Sequence, residues 1–177
     1  MLSTIVFCED TLAGHASGEL AKVLARTLAS LVPAKVEGVL CDVRIAGPAA
    51  MGLGIVAHHA GCALIESNNE TERLRLAIEA ARGPGVFVLR CGRAPEAGFI
   101  EEISDFLASS MAIASRPANL RAAPEGIFER LFPSLAPVAG IIAPRDLLLR
   151  LPGGGFQEMA RKIGSATTFR ARARRIG

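Results

Sequence analysis

"GVFVLRCGRAPEAG", residues Gly85–Gly98, decides how the chain is read. Val86–Leu89 is a continuous apolar run, the pattern of a strand buried on both faces. The chain then turns through a short loop of small and turn-forming residues. In α/β proteins the loops at the carboxyl ends of strands hold the ligands. This loop offers Arg90, Cys91, Gly92 and Arg93 where an Asp, Glu or His would be sought.

Working outward, "STIVFC" (Ser3–Cys8), "VLCDVRI" (Val39–Ile45) and "CALIES" (Cys62–Ser67) are three further strand-like runs. Leu20, Val23, Leu24, Thr27, Leu28 and Leu31 recur at helical spacing, and Pro33 is expected to stop that helix. Met51–Ala60 reads as a helix weakened by Gly52 and Gly54. Asn69 is expected to cap the next helix with Glu72 as its capping-box partner, and Leu74, Ile78 and Ala81 form the apolar stripe. Phe99, Ile100, Ile103, Phe106 and Leu107 line one face of another helix, with Glu101, Glu102 and Asp105 on the opposite face.

Strand and helix thus alternate four times by about residue 110, which predicts an α/β fold with a mostly parallel sheet and right-handed helical crossovers. The remainder is less regular. A short helix in "PEGIFERLFPSLAP", a strand at "VAGIIA", a helix in "PRDLLLRL", a break at "PGGGF" and a last helix ending at Gly164 are expected. The division is a single domain, 1–164, followed by a basic C-terminal tail, 165–177.

Half of the 177 residues are hydrophobic, enough for a core, but only 5% are aromatic, with no Trp or Tyr. Aromatic platforms are scarce, which argues against nucleic acid as a partner. The net charge of +3 is concentrated in "FRARARRIG". Such an arm suits an anionic partner, but the plainer expectation is a solvated, partly frayed end. The opening residues lack the pattern of a signal peptide, and the apolar zone Leu131–Leu149 is broken by prolines and charges, so no transmembrane segment is expected. The four cysteines form no C-x-x-C pair and read as reduced thiols of a cytoplasmic protein.

The order of these pieces resembles the family 2 glycosyltransferases. The similarity runs through "LSTIVF", "LARTLASLVPAKVEGVLCDVRIAG", "AHHAGCALIES", "AIEAARGPGVFVLRCGRAPEAGFIEEISDFL" and "GIIAPRDLLLRLPGGGF". It implies a glycosyltransferase A-type, nucleotide-diphospho-sugar transferase-like fold. It also implies three acidic stations, and the sequence departs from each. Ala46 stands where an acid would hold the nucleoside, with Gly47 retained. Arg90, Cys91 and Gly92 fall on the metal motif. After Gly-Gly-Phe the segment is shortened, leaving Glu158 as the one nearby carboxylate and a weak candidate for the catalytic base.

A nucleoside-diphosphate leaving group needs its charge stabilised, normally by a divalent cation held by oxygen ligands. Cys91 and Arg93 do not supply these, so no divalent metal cofactor is expected. The expectation is a protein that has lost catalysis and acts as a binding, assembly or regulatory partner, with a protein partner or a second copy as its ligand. The late apolar segment, Leu131–Leu151, is the expected interface. The alternative is a metal-independent glycosyltransferase in which Arg90 and Arg93 hold the diphosphate of a nucleotide sugar. The remnant cleft comprises Glu9, Asp10, Ala46, Gly47, Arg90, Gly92 and Arg93. Cys8, Cys91 and His15 are the candidate ligands of a soft-metal or redox cluster, with buried packing as the commoner role for such thiols. Of the adjacent His58 and His59, one is expected exposed and one packed.

Overall fold

The computed structural model describes residues 1–14, 17–109, 116–132, 135–164 and 166–176. The four apolar runs are strands β1 (Leu2–Phe7), β2 (Leu40–Gly47), β3 (Ala63–Glu66) and β4 (Gly85–Arg90). They lie side by side as β3-β2-β1-β4, all parallel. Helices α1 (Ser17–Val36), α2 (Gly54–Ala60) and α3 (Glu70–Glu79) occupy the crossovers. The chain continues through β5 (Arg93–Pro95), α4 (Phe99–Ala108), β6 (Ala118–Ala122), α5 (Ile127–Leu131), β7 (Val138–Pro144), α6 (Arg145–Arg150), α7 (Phe156–Lys162) and β8 (Thr167–Arg175).

Among the described residues these strands make one eight-stranded sheet, ordered β3-β2-β1-β4-β7-β6-β8-β5. Four of its seven pairings are parallel; β4–β7, β6–β7 and β5–β8 are antiparallel. β5 follows β4 after only Cys91 and Gly92, yet it sits at the far edge of the strand order. The sheet therefore curls until its last strand returns beside the end of β4. Two apolar layers cover it. One contains Val6, Leu24, Phe87 and Phe99; the other contains Ile5, Phe7, Leu74 and Phe156.

Several expectations are corrected by this arrangement. Helix α1 runs through Pro33 to Val36. Proline removes one amide donor, but the final turn is held by Glu37 N–H to Pro33 O (2.9 Å) and Val39 N–H to Ala34 O (3.0 Å). The helix expected over Met51–Ala60 is split, with a 3-10 turn at Ala49–Met51 and left-handed Gly52 (φ 62°) before α2. Asn69 does cap α3, accepting from Glu72 N–H at 3.0 Å. The Glu72 carboxylate, however, accepts from Ser67 Oγ (2.7 Å), and Ser67 Oγ in turn accepts from Asn69 N–H (3.1 Å). His58 and His59 are both exposed.

The segment expected as a frayed basic end is strand β8. Its burial alternates: Phe169, Ala171 and Ala173 face the core, while Arg170 and Arg174 face outward. Glu102 of α4, expected on a solvent face, accepts from the N–H groups of Arg170 (2.8 Å) and Ala171 (2.9 Å). These amides lie where the β6–β8 register is interrupted, so the carboxylate satisfies donors that the ladder misses. Leu131–Leu151 is not one surface either. Its middle is β7, whose Ala139, Ile141, Ile142 and Ala143 are buried, while Leu131, Phe132 and Leu135 remain exposed.

Candidate functional site

The carboxyl ends of β1, β2 and β4 adjoin, as the parallel register requires: Phe7 pairs with Ala46 on one side and Arg90 on the other. A cleft of about 450 Å³ opens there, lined by Glu9, Leu20, Val23, Arg90, Gly92, Arg93 and Arg175 among others. The structure thus brings together Glu9, Arg90, Gly92 and Arg93, as the sequence predicted. It does not bring Ala46, Gly47, Asp10 or Glu158 into this cleft, and His15 lies outside the described residues.

Every arginine predicted to greet a phosphate is already engaged. Arg90 donates from Nε (2.9 Å) and Nη2 (2.5 Å) to Oε2 of Glu9. Both side chains are largely buried, 20% and 10% exposed, so solvent screens this pair weakly. Arg93 pairs with Glu125 at 2.6 Å, and Arg175 reaches the other oxygen of the same carboxylate at 3.4 Å. Burial alone would push the Glu125 carboxyl up, but the Arg93 hydrogen bond and the two arginine charges hold it below the usual carboxylate range. Asp10 accepts from Arg73 Nη2 at 2.6 Å.

Arg73, outside the cleft, is the partner of Asp10 that the sequence reading missed. It is fully buried within α3, on the helix face that also carries Leu74, Ala77 and Ile78. It donates to the carbonyls of Ser67 (2.5 Å) and Cys8 (3.3 Å) as well as to Asp10, and so ties the loop after β1 to α3. Its guanidinium lies 5.3 Å from the Phe7 ring centroid, Phe7 stacks on Phe156 at 6.5 Å, and Arg90 lies 5.8 Å from Phe156. This Arg73–Phe7–Phe156–Arg90 series links α3 to the end of β4. A basic residue beside an apolar stripe was the available signal.

The place where a nucleoside-binding acid is expected is filled. Ala46 is wholly buried in the core layer with Phe7 and Leu74. A Cβ on Gly47 would collide with Leu53 Cδ1, and Leu53 is itself 1% exposed. Gly92 turns the chain from β4 into β5 at φ 83°, a backbone that side chains rarely adopt. Thr27 Oγ1 of α1 accepts the Gly92 N–H at 3.0 Å, and Ile176 N–H donates to Gly92 O at 2.8 Å. The turn is therefore pinned from both sides.

Cys8 and Cys91 directly follow the paired ends of β1 and β4 and share one buried cluster. A hydrogen bond between the thiols, together with burial, pushes Cys8 well up, while accepting from Cys8 draws Cys91 down. Of the two, Cys91 is the thiol that lines the cleft. Glu158 lies on α7, paired with Lys162 at 2.6 Å and folded over Gly154. The Lys162 hydrogen bond and charge hold its carboxyl down, a poor state for a general base.

The carboxylates at these strand ends are already engaged. Glu9 and Asp10 are committed to arginines, and the β4 turn supplies a thiol and a glycine. Among the described residues no group of three His, Cys, Asp or Glu side chains is placed to hold a metal ion.

The curled eight-stranded sheet with its helical layers is the glycosyltransferase A-type, nucleotide-sugar transferase fold. The chain is similar to glucosyl-3-phosphoglycerate synthase from Mycobacterium tuberculosis, solved with Mn²⁺, uridine diphosphate and glucosyl-3-phosphoglycerate. The TM-score is 0.60 at 13% identity, over 94% of this chain and 68% of that one. It is also similar to residues 1–349 of S. aureus TarS (TM-score 0.57, 12% identity, 99% of this chain and 60% of that one). A third likeness is to the bifunctional IspDF of Campylobacter jejuni (TM-score 0.56, 12% identity, 95% of this chain and 49% of that one). No protein-family profile matches the sequence, and no curated protein matches it.

Proposed function

We propose that this chain keeps the glycosyltransferase framework without the transfer chemistry and acts by binding, as an assembly or regulatory partner. The observation that carries the reading is the internal pairing of the cleft. Each arginine that would meet a diphosphate faces a carboxylate of the same chain, and Leu53 packs against Gly47, where the family resemblance would put the nucleoside. Stabilising a departing diphosphate needs a preorganised positive site. Here the charge of Arg90 and Arg93 is offset by carboxylates of the same chain. The reduced thiols suit a cytoplasmic setting.

The proposed ligand is a protein or a second copy of the chain. Ile127 (75% exposed), Leu131 (68%) and Leu135 (71%) lie close together in sequence on and just after α5, and present apolar surface to solvent. The decisive assay measures release of nucleoside diphosphate from common nucleotide sugars. No turnover is expected; turnover abolished by Arg93→Ala or Glu158→Gln would sink the proposal. The second reading, a metal-independent family 2 transferase, draws on the presence of Arg90, Arg93 and Arg175 around one cleft. It requires turnover without added cation.

A further inference from the structure

A second cavity lies at the opposite end of the sheet. It measures about 680 Å³ and runs between α1 and α2 over the first halves of β2 and β3. Drug-sized ligands occupy pockets of roughly 300–1,000 Å³. It shares no lining residue with the cleft at the strand carboxyl ends.

Sequence makes the trough. Ala25, Ala29 and Val32 recur along α1 at spacings of four and three, and they face Ala60, Gly61 and Ala63. Small side chains on both walls leave the space that larger ones would fill. Leu28, Val43 and Val56 give it an apolar lining. Val32 and Val36 are 55% and 78% exposed, so the apolar surface extends beyond the cavity along α1.

Its polar side is cationic. Lys35, Arg44 and Arg82 line it against a single carboxylate, Asp42. That carboxylate is spent: Arg44 Nε lies 2.9 Å from Asp42 Oδ2, and Ser3 Oγ donates to Oδ1 at 2.5 Å. Arg44 and Asp42 are only 11% and 16% exposed, and Arg44 Nε and Asp42 Oδ2 are buried without a well-formed hydrogen bond. Among the described residues neither Lys35 nor Arg82 is ion-paired; Lys35 donates to the Cys41 carbonyl. The trough therefore combines an apolar body with an excess of positive charge.

We propose that this trough binds a small amphiphilic anion, its apolar body between α1 and α2 and its carboxylate, sulfonate or phosphate head at Lys35, Arg44 and Arg82. A small molecule is favoured over a docked helix because the space is concave and bounded by two helices and the sheet. A lipid-derived acid and an aromatic acid share this chemistry.

Calorimetric titration of the whole chain tests it. Decanoate below its micelle threshold and naphthalene-2-sulfonate are the lipid-like and aromatic probes, and decyltrimethylammonium is the control. One-to-one saturable binding of at least one anion is expected, about tenfold or more tighter than the cation; tenfold corresponds to about 1.4 kcal/mol. Which anion binds more tightly separates the two sources. Ala29→Trp fills the trough from an exposed helix position and is expected to remove binding with Tm unchanged. Arg82→Gln, also exposed, is expected to weaken anion binding about tenfold. Bound anion is expected to slow iodoacetamide modification of Cys62, which lines the trough, and not of Cys91, which does not. Equal affinity for anion and cation, unchanged affinity in folded Ala29→Trp, or binding only to anionic phospholipid vesicles overturns the proposal.

Discussion

Replacing Glu9 by Gln tests the closed cleft at its most buried contact. Two hydrogen bonds join Arg90 to one oxygen of Glu9, at 2.9 and 2.5 Å. At an effective dielectric near 20, unit charges about 3 Å apart attract by roughly 5 kcal/mol. Side chains only 20% and 10% exposed have lost most of their hydration, and that cost cancels a large part of the attraction. A net coupling of about 2 kcal/mol is expected, within the range found for contacting residues. Urea unfolding of the parent, Glu9→Gln, Arg90→Gln and the double variant gives this coupling directly. Glu9→Gln alone is expected to cost about 2–3 kcal/mol, because it leaves a largely buried guanidinium without its counter-charge. The same variant frees Arg90, so it is expected to gain binding of uridine diphosphate that the parent lacks. A coupling below about 0.5 kcal/mol, or equal diphosphate binding by parent and variant, refutes the reasoning.

Other substitutions probe the rest of the site. Arg73→Met removes the donors to Ser67 O, Cys8 O and Asp10, and is expected to cost about 3–5 kcal/mol in urea unfolding; a loss under about 1 kcal/mol contradicts its role as the tie between α3 and the first loop. Gly92→Asp places a side chain at φ 83° and is expected to lose about 1–2 kcal/mol while conferring no Mn²⁺ binding by calorimetry. Cys91 lines the cleft and Cys8 does not, so Cys91 is expected to be alkylated first by a small neutral reagent, as peptide mass mapping reads; the reverse order contradicts that placement. Acid stability follows Asp42 and Glu125. Burial opposes ionisation at both, but hydrogen bonds and arginine charges prevail and leave both carboxyls lowered. Their stabilisation is present above the ordinary carboxylate pKa of about 4 and is lost as pH falls below it through the folded-state values. Asp42→Asn is expected to flatten that acid limb of the pH–stability curve.

The parallel half of the sheet was legible because its strands are apolar runs, fully buried in β1 and nearly so in β4, and such runs are local signals. The curled half was harder to read. Strand β8 was hidden by its arginines: "FRARAR" looks like a basic arm until its strict alternation is weighed, with Phe169, Ala171 and Ala173 buried between outward charges. β5 is three residues long and depends wholly on β8 for its partner, so its own sequence carries almost no signal. At the site, proximity of Glu9, Arg90, Gly92 and Arg93 followed from the parallel register. Their pairing did not. Glu125 reaches Arg93 from 32 residues away and Arg175 from 50, across loops whose course periodicity does not specify. Arg73 was obscured because long charged side chains are rarely buried, and only its tertiary partners explain it.

Isothermal titration with uridine diphosphate glucose, with and without Mn²⁺, tests the central claim most directly. The ion-paired arginines and the Leu53-covered Gly47 predict no saturable heat in either buffer. Saturable one-to-one binding, strengthened by Mn²⁺ or indifferent to it, contradicts a closed and neutralised cleft.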